Sequence, residues 1–201
     1  MLKTTTLILA SRSPRRRELL RQAGYRFEVL APPIEDRGVN FHGVVGAYVE
    51  SLAYLKAMAT VDGHGLTAGL VLGADTVVEL DGQIIGKPAD EADARRILSA
   101  LSGSEHHVLT GLALVDLDRT RRWLAHDVTR ICMRTITPEE IGAYVASGEA
   151  LGKAGAYALQ ETGDRYVDHM DGSLTNVVGL PMQLLERLLK AAGHDPREFR
   201  D

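Results

Sequence analysis

One cysteine, few aromatic residues and no long apolar run are what this 201-residue sequence is shortest of. Cys132 alone excludes an intramolecular disulfide and suits a reducing compartment, and its place in an alternating strand pattern predicts a core side chain rather than a nucleophile. Aromatics make up 5% of the chain, without an array on which bases would stack, which disfavours a single-stranded RNA binder. The formal net charge of -4 supplies no basic field for wrapping nucleic acid, so any polyanion must be held by locally clustered lysines and arginines. That suits a small phosphorylated ligand better. The apolar run near the N-terminus is too short for a signal peptide and meets charge at once, and no later run is long enough to span a bilayer. The expectation is a cytoplasmic protein with neither nucleic acid nor membrane as a partner.

What is present is enough apolar material, 45%, to bury a full core. Strands and helices alternate from the start. Thr6 to Ala10 reads as a strand, Pro14 to Ala23 as a helix stopped by Gly24, and Phe27 to Leu30 as a second strand. Val44 to Ala59 carries Tyr48, Leu52, Leu55 and Met58 along one side of a helix, placing Lys56 near its C-terminal end, and Asp62 to Gly69 reads as a loop. Leu70 to Leu80 is strongly β-forming and turns at Asp81-Gly82 into Gln83 to Ile85. A helix follows from about Asp90 to Leu101, then paired strands His107 to Asp116 and Arg122 to Met133. Thr137-Pro138-Glu139-Glu140 opens a helix that Ser147-Gly148 ends. Short strands are expected around Ala156 to Gln160 and Tyr166 to Met170, and a last helix over Met182 to Ala192. Without repeat or linker, residues 1–201 read as a single α/β domain with a mixed sheet.

The segment Leu7-Ile-Leu-Ala-Ser11-Arg-Ser13-Pro14-Arg15-Arg16 runs a strand into hydroxyls, a proline and paired guanidiniums where a helix begins. Ser13 suits the N-cap and Pro14 the first helical position; the orphan amides of such a turn attract anions, and Arg15 and Arg16 can fork onto phosphate oxygens. The alternative is a capped helix whose arginines face water. Asp75 stands in an otherwise apolar strand, where an uncompensated charge costs several kcal/mol, roughly, so it needs a metal, a cation or a water-filled cleft. It is a candidate metal ligand or general base; capping the next turn or pairing with a lysine is the other reading. Glu35 and Asp36 are hard oxygen donors of the kind Mg²⁺ or Mn²⁺ prefers, or solvated loop acids. Gly86-Lys87-Pro88 and Lys153-Ala154-Gly155 each set a lysine by a glycine at a break between elements, where backbone can approach a ligand; each is individually weak. His106 and His107 lack metal-motif spacing and read as structural or exposed, and Trp123, Tyr144 and Tyr157 suit a core as well as a stacking platform.

Taken together, Ser11-Arg-Ser-Pro-Arg-Arg16, Leu52-Ala-Tyr-Leu-Lys56-Ala, Gly73-Ala-Asp75-Thr76-Val-Val, Gly86-Lys87-Pro88, Leu101-Ser-Gly103, Val108-Leu-Thr110-Gly111, Ser147-Gly-Glu149, Lys153 through Gln160 and Asn176-Val-Val-Gly-Leu-Pro181 come in an order that resembles the Maf family of nucleoside triphosphate pyrophosphatases over nearly the whole chain. The resemblance implies an elongated α/β fold like that of the inosine triphosphate pyrophosphatases, a mixed sheet flanked by helices with two lobes around a nucleotide cleft, and a homodimer. It implies hydrolysis of a nucleoside triphosphate to the monophosphate and pyrophosphate with a divalent cation, Mg²⁺ or Mn²⁺. Asp75 matches the family's proton acceptor, and Arg16, Lys56, Lys87 and Lys153 match its phosphate and metal-site partners. With Ser11 and Ser13 at the phosphate turn, the implied set is Asp75 and Lys87 for catalysis and Glu35, Asp36 and Asp75 for metal. The family usually shows aspartate then glutamate where this chain has Glu35 then Asp36, which leaves open which acid reaches the ion. Arg15, Thr76 and Gln160 resemble the branch that prefers dTTP and UTP, whereas tryptophan, glutamine and glutamate mark the 7-methyl-GTP branch. A neutral amide offers a donor and an acceptor to a pyrimidine edge; a carboxylate offers only acceptors. A nucleotide-binding regulator of cell division with little turnover is the competing reading.

Overall fold

The computed structural model describes residues 5–34, 43–159 and 162–200. Its elements are β1 (Leu7–Ala10), α1 (Pro14–Gln22), β2 (Glu28–Val29), α2 (Val45–His64), β3 (Leu70–Leu80), β4 (Gln83–Ile85), α3 (Glu91–Leu101), β5 (Glu105–Asp116), β6 (Arg121–Met133), α4 (Pro138–Ala146), β7 (Val167–Asp171), α5 (Leu174–Val178) and α6 (Met182–Ala191), with short 3-10 helices at Ala154–Ala156, Thr162–Tyr166 and Pro196–Phe199. Among the described residues seven strands form one sheet, β2-β1-β3-β5-β6-β7 in order, with β4 paired to β3. β1 is parallel to β2 and β3, Ala10 lying opposite Gly73, while β4 is antiparallel to β3 and β7 to β6. This is the mixed α/β sheet with flanking helices that the alternation of patterns predicts.

The chain clusters into two compact units, one of Met1–Asp75, Thr110–Asp127 and Gly179–Asp201, the other of Thr76–Leu109 and Val128–Val178. In the first, Ile8, Ala10, Ala57, Val61, Val71 and Val115 form a buried cluster in which α2 lies on β1, β3 and β5. The contact is backbone to backbone. A Cβ at Gly73 would stand 2.1 Å from the carbonyl oxygen of Ala53, and one at Gly111 2.3 Å from the carbonyl carbon of Val49. Only glycine permits an approach this close. In the second unit, α3 and α4 bury Ile97, Leu98, Leu101, Ile141, Tyr144 and Val145 against Val78, Val108, Ile131 and Met133. Here α4 starts from a capping box: Thr137 Oγ1 accepts from the Glu140 amide, and the Glu140 carboxylate accepts from the Thr137 amide.

Several elements depart from the sequence expectations. α2 continues to His64, absorbing the start of the expected loop, so Lys56 sits in mid-helix. Its sheet-facing side is Tyr48, Val49, Ala53, Lys56, Ala57 and Thr60, while Leu55 is 52% exposed. Ala53 and Ala57 lie where Gly73 draws the helix too near for leucines. The strand expected at Ala156 to Gln160 is absent among its described residues: a 3-10 turn ends at Ala156 and irregular chain follows, because Gly155 and Ala156 both take left-handed φ, 71° and 59°. β2 has only two residues, and the short helix α5 was not expected. Cys132 is half-buried rather than core, since Thr129, Ile131 and Met133 are the buried side of β6 and alternation turns Cys132 to the other face, beside Glu105.

Candidate active site

The N-terminal turn forms as its residues dictate. Ser13 caps α1, its Oγ accepting from the Arg16 amide at 3.4 Å, and Ser11 Oγ accepts from the Ser13 amide at 3.1 Å. Arg16 turns back across this start. Its Nε donates to the Gly179 carbonyl at 2.8 Å and its Nη1 to the Ala74 carbonyl at 2.9 Å, with Ser11 Oγ 3.4 Å away. The guanidinium thus ties the β1–α1 turn to the peptide immediately before Asp75 and holds its charge in a fixed place. Arg15 is half-buried on the same first turn.

Asp75 lies on the face of β3 that α2 covers, two residues after Gly73, and Lys56 lies three residues after Ala53 on the facing helix. Lys56 Nζ donates to Asp75 Oδ1 at 2.6 Å, with only 10% and 12% of the two side chains exposed. The lysine pairing considered for Asp75 is therefore present, and it answers the cost of the buried charge. It also leaves a carboxylate of fixed orientation whose second oxygen is a hard donor. Thr76 follows in β3 with its side chain alternating to the opposite face.

The second unit holds the other two candidate lysines. Gly86, before Lys87, accepts at its carbonyl from the Gly155 amide at 3.1 Å, so the two glycine-lysine segments are joined through their backbones. Lys87 is exposed and Lys153 half-buried. The turn at Lys153 closes by the Ala156 amide donating to the Lys153 carbonyl at 3.1 Å, with Gly155 at φ 71°, ψ 5° in its third position, where a type II turn needs glycine. Ala156, a residue with a Cβ, then takes φ 59°, a conformation that costs about 1–2 kcal/mol. Tyr157 follows directly, buried, with its hydroxyl 2.8 Å from His106 Nε2 and the two rings edge to face. Burial pushes the His106 imidazole down to about 4, with His107 adding to the shift and Glu79 opposing it, so the ring is neutral near pH 7; burial likewise raises the Tyr157 phenol. His106, expected as structural or exposed, and Tyr157, expected as core or stacking platform, are both buried; their pairing is what sequence reasoning missed, since a histidine at the start of a strand says nothing of a partner 51 positions away.

Glu35, Asp36 and Gln160 lie outside the described residues. Among the described residues no group of three His, Cys, Asp or Glu side chains converges as a metal site. Asp75 fits a hard divalent ion as one ligand, with Lys56 already on one oxygen.

A serine-capped helix start bearing arginines, beside a buried and oriented carboxylate, defines an α/β protein equipped for an anionic ligand. The family profile described as Maf-like protein matches residues 6–192, and the chain belongs to that family. It is 47% identical over 189 residues to a dTTP/UTP pyrophosphatase of Moorella thermoacetica, covering 94% of this chain and 96% of that one. Proteins of the same name from Vibrio cholerae, 44% identical over 91% of this chain and 96% of theirs, and from Ruminiclostridium cellulolyticum, 42% identical over 92% and 94%, are similar throughout. Among the described residues no helix is long and apolar enough to cross a membrane.

Proposed function

We propose that the chain is a nucleoside triphosphate pyrophosphatase that hydrolyses dTTP, UTP and pyrimidine triphosphates modified on the base, clearing them from the nucleotide pool. The observation that carries this reading is the buried Asp75 carboxylate, oriented by Lys56 at 2.6 Å and flanked by the Arg16-bound peptide of Ala74. A pure binding module has no need of an oriented carboxylate able to take a proton from water. Similarity to dTTP/UTP pyrophosphatases over more than nine-tenths of both lengths supports the substrate class.

Asp75 accepts the proton of a water that attacks the α-phosphorus in line. The α-phosphorus forms a bond to the water oxygen as its bond to the bridging oxygen breaks, and pyrophosphate departs with that electron pair. A divalent ion, Mg²⁺ or Mn²⁺, would be held by Asp75 with an acid of the Glu35-Asp36 pair, and would supply charge neutralisation and a more acidic water. Lys87 and Lys153, their segments joined at Gly86 and Gly155, stabilise the charge on the departing pyrophosphate, an electrostatic role with a typical value of roughly 3 kcal/mol per donor. Ser11, Ser13 and the amides of the α1 start bind phosphate oxygens. Arg15, Thr76 and Gln160 read the pyrimidine side of the substrate, and the glutamine supports this by matching both a donor and an acceptor.

The test is pyrophosphate release from a panel of common and modified triphosphates, with and without Mg²⁺ or Mn²⁺. Metal-dependent release from dTTP and UTP ahead of purine triphosphates is the expected result. Binding without release from any triphosphate would overturn the reading in favour of a nucleotide-binding regulator.

A further inference from the structure

We infer that His106 and Tyr157 form a positioning pair that sets the Lys153 turn, His106 acting as the fixed anchor in β5 and Tyr157 as the strut. The inference rests on the reading of Lys153 as a phosphate partner and goes beyond it by naming what holds that lysine in place.

Four observations converge. The Lys153–Ala156 turn contains two successive left-handed residues, Gly155 and Ala156, and Ala156 has no conformational reason of its own to be there. The turn lies tightly on its neighbours: a Cβ on Gly155 would stand 2.8 Å from Val78 Cγ2, and the Gly155 amide reaches the Gly86 carbonyl at 3.1 Å. The residue that leaves this strained pair is Tyr157, and its hydroxyl ends on His106 Nε2 at 2.8 Å. His106 is itself fully buried, at 0% exposure, on a strand interior to the sheet, so the anchor does not move with solvent or with the turn. An enclosed imidazole of this kind does not touch substrate. It acts through Tyr157, and the short chain from β5 to Tyr157 to Gly155 leads to both lysine-bearing segments, because the Gly155 amide also binds Gly86.

A hydrogen bond that only stabilised the fold would lower the melting temperature and leave the kinetic constants of the folded protein alone. A positioning bond does otherwise. If Lys153 meets charge that develops on the leaving pyrophosphate, its displacement lowers kcat more than it raises KM.

The experiment uses the full chain with dTTP and Mg²⁺, well below the melting temperature, and reads kcat, KM and the hydrogen exchange of the Gly155 amide. Tyr157→Phe keeps the ring and its volume and removes only the hydroxyl. It is expected to lower kcat about tenfold with KM changed by less than about twofold, and to speed Gly155 exchange about tenfold. His106→Gln, whose amide can meet the same hydroxyl, is expected to stay within about threefold of the parent in both readings. Ile97→Val, a comparable loss in the same core, should lower the melting temperature alone. Unchanged kcat or unchanged Gly155 exchange in Tyr157→Phe overturns the inference, as does an equal kcat loss in Ile97→Val. Absence of pyrophosphate release by the parent protein would instead refute the proposed function, and the exchange measurement would still decide whether the pair holds the turn.

Discussion

The two units position their candidate lysines by opposite means. In the first, Lys56 reaches Asp75 because α2 and β3 are in backbone contact at Gly73 and Ala53, and the side chains need only extend from a rigid pair of elements. In the second, Lys153 stands on irregular chain, held by a turn with two left-handed residues and by the hydroxyl of Tyr157. The first arrangement is a consequence of packing and carries little local strain. The second stores strain and depends on a few hydrogen bonds. The carboxylate proposed to take a proton needs to be held to a fraction of an ångström, and close-packed elements do that best. The lysine proposed to meet the leaving group depends instead on a turn braced through Tyr157 on the buried His106.

This contrast can be broken most sharply at Asp75. Asp75→Asn is expected to lower pyrophosphate release about 10³-fold while far-UV circular dichroism shows the fold retained, since the amide occupies the same volume but cannot accept the proton. Next come the two glycines. Gly73→Ala puts a Cβ against backbone that cannot yield, and is expected to cost more than about 4 kcal/mol in denaturant unfolding. Gly155→Ala meets side-chain atoms rather than backbone, the end of Val78 at 2.8 Å and the edge of the Tyr157 ring at 3.2 Å, but must hold φ 71°, and is expected to cost about 2 kcal/mol. If Gly155→Ala proved the costlier, the distinction between a packed and a strained support would fail.

Acid tests the second unit through His106. His106 titrates at about 4 in the folded chain and near 6.5 when unfolded, so the unfolded state binds more protons between these values. Stability is full above pH 6.5 and falls as the pH drops towards 4, by up to roughly 3 kcal/mol. Unfolding measured across that window in the parent and in His106→Gln should show a slope that the variant lacks. The smallest effect is expected at the start of α4. Thr137→Ala removes the hydroxyl of the capping box and should cost about 1 kcal/mol, while Glu140, held down to about 2 by Arg134 and the Thr137 amide, stays charged at neutral pH. A melting curve of the variant checks it, and turnover at low temperature should be unaltered.

Much of this is legible in the sequence. Asp75 attracted attention because a charge in an apolar run is costly, and the same cost required a compensating partner. Ser13 and Pro14 marked a helix start, and Thr137 with Glu140 marked another, because capping is decided by residues within one turn. The helical spacing of α2 is legible but its facing is not: its leucines suggest a face, but Ala53 and Ala57 meet the sheet. The β-forming look of Ala156-Tyr157 was overridden by the turn at Gly155 and by the burial of Tyr157.

The sequence by itself determined the α/β alternation, the capped helix starts, the suspicion attached to Asp75 and the membership of the Maf family, because each follows from short-range pattern or from ordered motifs. Only the tertiary structure decided that Lys56 pairs with Asp75 across 19 positions, that Arg16 binds the Ala74 and Gly179 carbonyls, and that His106 meets Tyr157. Periodicity reports which face of an element is buried, but not which element covers it. That choice depends on strand order and on how closely two backbones approach, and both belong to the folded chain as a whole.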